Sequence, residues 1–217
     1  MVVELDACGG DVAWRFGLAS EPGLRSLAVA SRLRPDPGLL AAHAQPVGAA
    51  GVPVVVAPVG RDAARHAVAS LAPLLDVLGG APEPVLVDFG AVDLKDADTR
   101  SLLAALAALV VVARAVPEQI ARVQAVTEDL LRVHPGAKAV LVGDVGCREA
   151  AGMLGMPVAG VLPLIDPDAG LLARLRGLRS RRAFELAAAR LAAGLSAGIA
   201  SLGSACEAAG ESAEVSR

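Results

Sequence analysis

Two short apolar runs in this chain end in carboxylates, and those carboxylates are its best candidates for chemistry. Val85-Leu86-Val87-Asp88-Phe89-Gly90 reads as a buried parallel strand that closes on an aspartate, with a glycine soon after. The carboxyl end of such a strand is where an open α/β sheet keeps its ligands. An Asp there can hold Mg²⁺ beside a nucleoside triphosphate; alternatively it caps the turn that follows. The second run, Met1 to Leu5, leads into Glu4-Leu5-Asp6-Ala7-Cys8-Gly9-Gly10-Asp11. Carboxylates at i and i+2 share one side of a strand end, and Gly9 and Gly10 permit a tight turn. Here too the plainer alternative is that Glu4 and Asp6 cap the turn.

Other polar residues offer less. Asp93, Asp96 and Asp98 form an acidic loop, read as solvated. His43, His66 and His134 stand apart in sequence, and no Ser or Cys has a partnered His in view, so nucleophilic catalysis is not supported. Cys8, Cys147 and Cys206 have no metal-ligand spacing and read as reduced thiols of a cytosolic protein. Arg174, Arg176, Arg179, Arg181 and Arg182 form a dense basic cluster. It is a candidate patch for a partner or for nucleic-acid phosphates; a solvated helix junction is the other reading. The net charge of −3 gives no general pull towards nucleic acid or membrane. No apolar run reaches the length of a membrane span, and no signal-peptide pattern is read at the start.

The elements that must position these carboxylates follow from the apolar pattern. With 54% hydrophobic residues and only 2% aromatics, Ala, Val and Leu must do the packing. Strands are expected over residues 1–5, 52–59, 85–89, 109–113, 138–142 and 158–162. Helices are expected over 13–17, 21–33, 39–44, 61–78, 99–106, 117–133, 148–154 and 182–202, with another capped by Asp166. Ala64, Val68, Leu71, Leu75 and Leu78 recur at helical spacing, as do Ile120, Val123, Val126 and Leu130. Pro117 suits a first helical turn. The alternation predicts a three-layer α/β/α fold with a mostly parallel sheet, as a single domain over residues 1–203. Residues 204–217 are small, polar and acidic, and are expected to be disordered.

In order, these motifs resemble the ParA/MinD-like family of P-loop ATPases. Residues 1–16 look like its strand ending in an acid-x-Asp pair before a Gly-rich turn. Residues 85–90 look like its Walker B strand, 109–118 like its Val-rich strand with a Pro-started helix, and 140–162 like its late block. Asp6 to Asp11, Pro22 to Ala28 and His43 to Gln45 are similar to an actinobacterial MinD-like branch linked to Tad-type pilus or secretion systems. The resemblance covers roughly residues 1–202.

That resemblance implies a P-loop NTPase-like fold, ATP and Mg²⁺ as cofactors, and an ATPase that positions or assembles a pilus, secretion or partitioning machine. It implies Asp6 as the catalytic residue near the attacking water. Asp88 would be the metal-side residue, and Glu4, Gly9, Gly10, Asp88 and Gly90 the cofactor-binding set. It also implies a homodimer, a protein partner, and a cytoplasmic protein held at the inner membrane face through that partner. DNA is the less favoured partner. Two departures stand out. The strand–P-loop–helix unit is missing, so nucleotide binding is expected to be impaired and the chain inactive. The only lysines, Lys95 and Lys138, lack a Walker A context. Gly143-Asp144 stands where relatives often carry an adenine-reading Asn. The missing strand would leave residues 85–89 and 109–113 without a shared neighbour. A misassigned start, direct pairing of the two strands, or a partner segment would each resolve this. A pseudo-ATPase scaffold and a DNA-binding adaptor remain alternative functions. The last helix has a core-packing reading and a membrane-targeting one, the former favoured.

Overall fold

The structure is a computed structural model, and it describes residues 1–69, 77–79, 81, 83–165 and 182–199. The chain divides into two compact units, Met1–Thr99 and Arg100–Arg217.

The first unit holds β1 (Val2–Glu4), α1 (Val12–Phe16), α2 (Leu24–Leu33), α3 (Leu39–His43), β2 (Gln45–Val47), β3 (Val52–Val55), α4 (Arg61–Ala69) and β4 (Leu86–Asp88). Its sheet runs β2-β3-β1-β4. β1 pairs in parallel with β3 and with β4, in the register Glu4↔Asp88. Only β2 is antiparallel, and it places Pro46 opposite Pro53. Proline cannot donate to a ladder, and at the edge β2 has only β3 as a neighbour, so Pro46 leaves no second strand unserved. α2 explains itself by spacing: Leu24, Leu27, Ala28 and Ser31 form one buried face. Ala13 of α1 packs into a core cluster with Val54 and Val56.

The second unit begins within α5 (Ala97–Ala104) and continues with β5 (Val110–Arg114), α6 (Pro117–Val133), β6 (Lys138–Val142), α7 (Cys147–Leu154) and β7 (Val158–Leu162). Its parallel sheet has the order β5-β6-β7. Helix α8 covers residues 182–199, and its Phe184, Ala188, Leu191 and Leu195 are half-buried along one stripe. Leu191 lies over Gly160 of β7, where a Cβ would meet Leu191 Cδ1 at 3.5 Å.

The expected mostly parallel α/β architecture is observed, with four differences in detail. The hydrogen-bonded strands form two sheets, with β4 ending one and β5 ending the other. Each of these end strands exposes an apolar side chain: Leu86 is 67% and Val112 64% exposed. Parallel strands are normally covered on both faces, so both edges are unusual. β3 stops at Val55 rather than Val59, because the Val56 and Pro58 carbonyls accept the Leu24 and Gly10 N–H groups and the Ala57 N–H donates to Glu4. In α6 the inward residue is Thr127, not Val126. The Thr127 hydroxyl lies within hydrogen-bond distance of the carbonyls of Val123 (2.9 Å) and Leu154 (3.1 Å). Burial of a threonine there is offset by bonding to the α7 backbone.

Of the sequence expectations, Leu71, Leu75, the Asp166-capped helix, Arg174, Arg176, Arg179, Arg181 and the 204–217 tail lie outside the described residues. Arg182 is exposed at the start of α8.

Candidate functional site

The carboxyl ends of β1 and β4 bring Glu4, Asp6, Asp88 and Gly90 together. The strands lock at this end: the Leu5 N–H donates to the Asp88 carbonyl at 2.6 Å. Beyond Glu4 the chain leaves the strand, and the two acids part company.

Glu4 turns inward and is 3% exposed. Its Oε1 accepts the N–H groups of Asp11 (2.8 Å) and Val12 (3.2 Å). Its Oε2 accepts the Ala57 N–H at 2.8 Å. One buried carboxylate therefore holds the start of α1 and the segment leaving β3. Backbone donors to an ionised acceptor are among the stronger protein hydrogen bonds. Gly10 is required by this packing: a Cβ there would lie 2.5 Å from Glu4 Oε2 and 2.7 Å from the Ala57 carbonyl oxygen.

Gly9 has φ +112°, and a Cβ on it would stand 2.4 Å from the Val59 carbonyl oxygen. The N–H groups of both glycines are taken by backbone carbonyls, Gly9 by Asp6 (3.2 Å) and Gly10 by Pro58 (2.9 Å). The glycines serve close approach of two backbone segments; their amides point into the protein's own turns.

Asp6 stays at the surface. Its Oδ1 accepts the Cys8 N–H at 2.7 Å, and its carboxylate lies against Gly90. Asp88 Oδ1 accepts the Gly90 N–H at 2.9 Å. Each aspartate thus commits one oxygen to a turn and keeps its second oxygen without a protein partner among the described residues.

Two arginines flank this acidic edge. Arg15 meets Asp11 at 2.6 Å, both side chains being exposed. Asp11, by hydrogen bond and by charge, holds the Arg15 guanidinium above the ordinary arginine value; the charges of Glu4 and Asp88 push the same way. The Arg61 guanidinium, at the start of α4, donates to Cys8 Sγ at 3.7 Å.

Among the described residues no group of three or more His, Cys, Asp or Glu side chains could hold a metal. A pair of open aspartate oxygens is the donor set expected for Mg²⁺, which takes one or two carboxylates and keeps water or phosphate oxygens for the rest. Asp6 and Asp88 therefore fit that ion.

The second unit has its own cleft at the carboxyl ends of its strands. It has a volume of about 550 Å³ and is lined by Arg114, Ala115, Val116, Val142, Gly143, Asp144, Pro163 and Leu164. Gly143 is at φ +150°, where a Cβ would press on Ala115 Cβ at 2.8 Å. Asp144 and Arg114 are its charged side chains.

Sequence reading missed two contacts. Ser26 Oγ and His43 Nδ1 are 2.8 Å apart, so this serine does have a histidine neighbour. Ser26 Oγ also accepts the Gly23 N–H (3.1 Å) and lies 3.0 Å from the Gly23 carbonyl oxygen, which marks it as part of the α2 start. Gln45 ties down the preceding loop, donating to the Ala19 (2.8 Å) and Pro22 (2.7 Å) carbonyls and accepting the Ala19 N–H (3.2 Å).

The chain has mostly parallel sheets with aspartates at the carboxyl ends of adjacent strands. In fold it is similar to a crystal structure of a ParA family ATPase from Chlorobium tepidum TLS. The TM-score is 0.59 at 17% sequence identity, over 89% of this chain and 81% of that one. Identity at this level shows a shared fold. No protein-family model and no curated protein matches the chain. No helix of the described residues is long and apolar enough to cross a membrane.

Proposed function

We propose that this chain is a MinD/ParA-like protein that takes part in the spatial positioning or assembly of a pilus, secretion or partitioning machine. Its chemistry is centred on Asp6 and Asp88. The observation that carries this reading is the pair of open aspartate oxygens at the carboxyl ends of two adjacent parallel strands. Asp88 would hold the Mg²⁺ shell, and Asp6 would orient the water that attacks a nucleoside triphosphate. Glu4, Gly9 and Gly10 would act one step back, by fixing the Asp6 loop. The bound cation would supply charge neutralisation for the phosphates.

A second reading has its own support. The Gly9 and Gly10 amides are internally bonded, and neither lysine has the setting of a phosphate clamp. A scaffold that binds a protein partner without turnover would show both features.

Calorimetric titration with Mg·ATP separates the two. The first reading expects binding that Asp88→Asn weakens at least tenfold, while Asp6→Asn binds normally but no longer hydrolyses. Absence of binding at millimolar Mg·ATP, in protein whose circular dichroism shows it folded, sinks the first reading and leaves the scaffold.

A further inference from the structure

The cleft of the second unit carries two opposite charges that the fold leaves unused. Arg114 is the last residue of β5, and Asp144 follows the end of β6 by two residues. Arg114 stands in register with Val142, so both side chains leave neighbouring parallel strands at the same end. Gly143, at φ +150°, lets the chain cross tightly over Ala115 and brings Asp144 to the end of β5. Among the described residues, neither the Arg114 guanidinium nor the Asp144 carboxylate has a hydrogen-bond or ion-pair partner, and the two do not pair with each other.

The backbone around them is already committed. The Ala115 N–H donates to the Val142 carbonyl (2.9 Å), the Val116 N–H to the Arg114 carbonyl (2.8 Å) and the Gly143 N–H to the Leu162 carbonyl (2.9 Å). Recognition in this cleft therefore falls to the two charged side chains. Val116, Val142, Pro163 and Leu164 supply an apolar wall, and Leu164 is 51% exposed. That combination of an apolar wall and a few polar groups, in about 550 Å³, is the usual make-up of a small-molecule site.

We infer that this cleft binds the guanine base of a nucleoside or nucleotide. The charge pair selects the base. A carboxylate only accepts hydrogen bonds, and a guanidinium only donates them. The ligand must then offer adjacent donors on one edge and adjacent acceptors on the next. Guanine does so: N1–H and the 2-amino group can donate together to the Asp144 oxygens, while O6 and N7 accept the planar Arg114 fork. Adenine would set its N1 lone pair against the carboxylate. Cytosine and uracil have one donor group on that edge, beside an acceptor. The flat face of the base suits the apolar wall. The inference concerns the second unit alone and stands or falls independently of Asp6 and Asp88.

The test is a saturation-transfer NMR titration of the full chain with nucleoside monophosphates, without Mg²⁺, up to about 10 mM, a range that reaches millimolar constants. The expected result is binding of guanosine monophosphate about tenfold or more tighter than adenosine monophosphate. Inosine monophosphate, which keeps N1–H, O6 and N7 but lacks the amine, should fall between them. Asp144→Asn should lose most of the guanosine monophosphate binding and gain xanthosine monophosphate, because the new amide donates to the carbonyl that replaces the amine. That gain also shows the variant to be folded. Equal binding of the guanosine and adenosine monophosphates would mean that only the phosphate is read, and would overturn the proposal. So would inosine monophosphate binding as tightly as guanosine monophosphate, guanosine monophosphate binding that survives Asp144→Asn, or no binding by parent protein that circular dichroism shows to be folded.

Discussion

The Asp6 carboxylate occupies the space that a side chain on Gly90 would need: a Cβ there would stand 2.1 Å from Asp6 Oδ2 and 2.2 Å from Cγ. Gly90 also sits at φ +57°, where an L-residue pays about 1–2 kcal/mol. Gly90→Ala should therefore push Asp6 aside and cost more than that backbone penalty alone. Gly152 of α7 is the control, since a Cβ there meets nothing within 4 Å. Gly152→Ala should stabilise by about 0.5–1 kcal/mol. Urea unfolding of the two variants checks the contrast. A Gly90→Ala protein as stable as the parent would mean that Asp6 does not rest where it is described.

Glu4 and Asp6 illustrate how far the chemistry was legible. Spacing alone put both acids on one side of a strand, but the strand ends at Glu4, so alternation no longer governs Asp6. Glu4 went to three backbone donors instead. Glu4→Ala leaves those donors in a dry setting and should cost about 3 kcal/mol or more, at 1–3 kcal/mol for each unsatisfied group. Glu4→Gln keeps one acceptor oxygen and should lie between. Chemical denaturation measures both. Equal losses for Gln and Ala would assign the role to packing and not to the carboxylate.

The Val-rich strands were readable because a parallel strand is a local apolar run: β6 and β7 fall on the expected residues. The edge strand β2 was not, since Gln45-Pro46-Val47 has no alternation to read and carries a proline. The Ser26–His43 contact was hidden for a different reason. It spans 17 residues and exists only because α2 and α3 pack together. Its energy can be measured. A double-mutant cycle of Ser26→Ala and His43→Ala should give a coupling of about 0.5–1.5 kcal/mol. Strict additivity would reduce the contact to coincidence.

Thr127 makes the same point within the second unit. A helical stripe read from sequence favours valine over threonine as the inward residue, yet the hydroxyl has its partners at Val123 and Leu154. Thr127→Val preserves the shape and removes the donor. It should lower stability by about 1 kcal/mol, as expected for one neutral hydrogen bond in the interior. Thermal unfolding would detect this, and an unchanged or raised midpoint would show that the methyl contacts alone join α6 to α7.

The open oxygens of Asp6 and Asp88 give the site a signature that requires no nucleotide. A divalent cation that binds the folded form and not the unfolded chain stabilises the fold. By mass action, a site with a millimolar constant gains about 1.4 kcal/mol at tenfold excess of free ion. Mg²⁺ should therefore raise the unfolding midpoint of the parent protein above that in NaCl of equal ionic strength. Asp88→Asn should lose most of this increment, because it removes one of the two charges and the metal-side oxygen together. Asp93→Asn, in the loop beyond β4, should keep it. If Mg²⁺ acts no differently from NaCl on the parent, the pair is not a cation site in this chain, and the turns built on Glu4, Gly10 and Gly90 serve the fold alone.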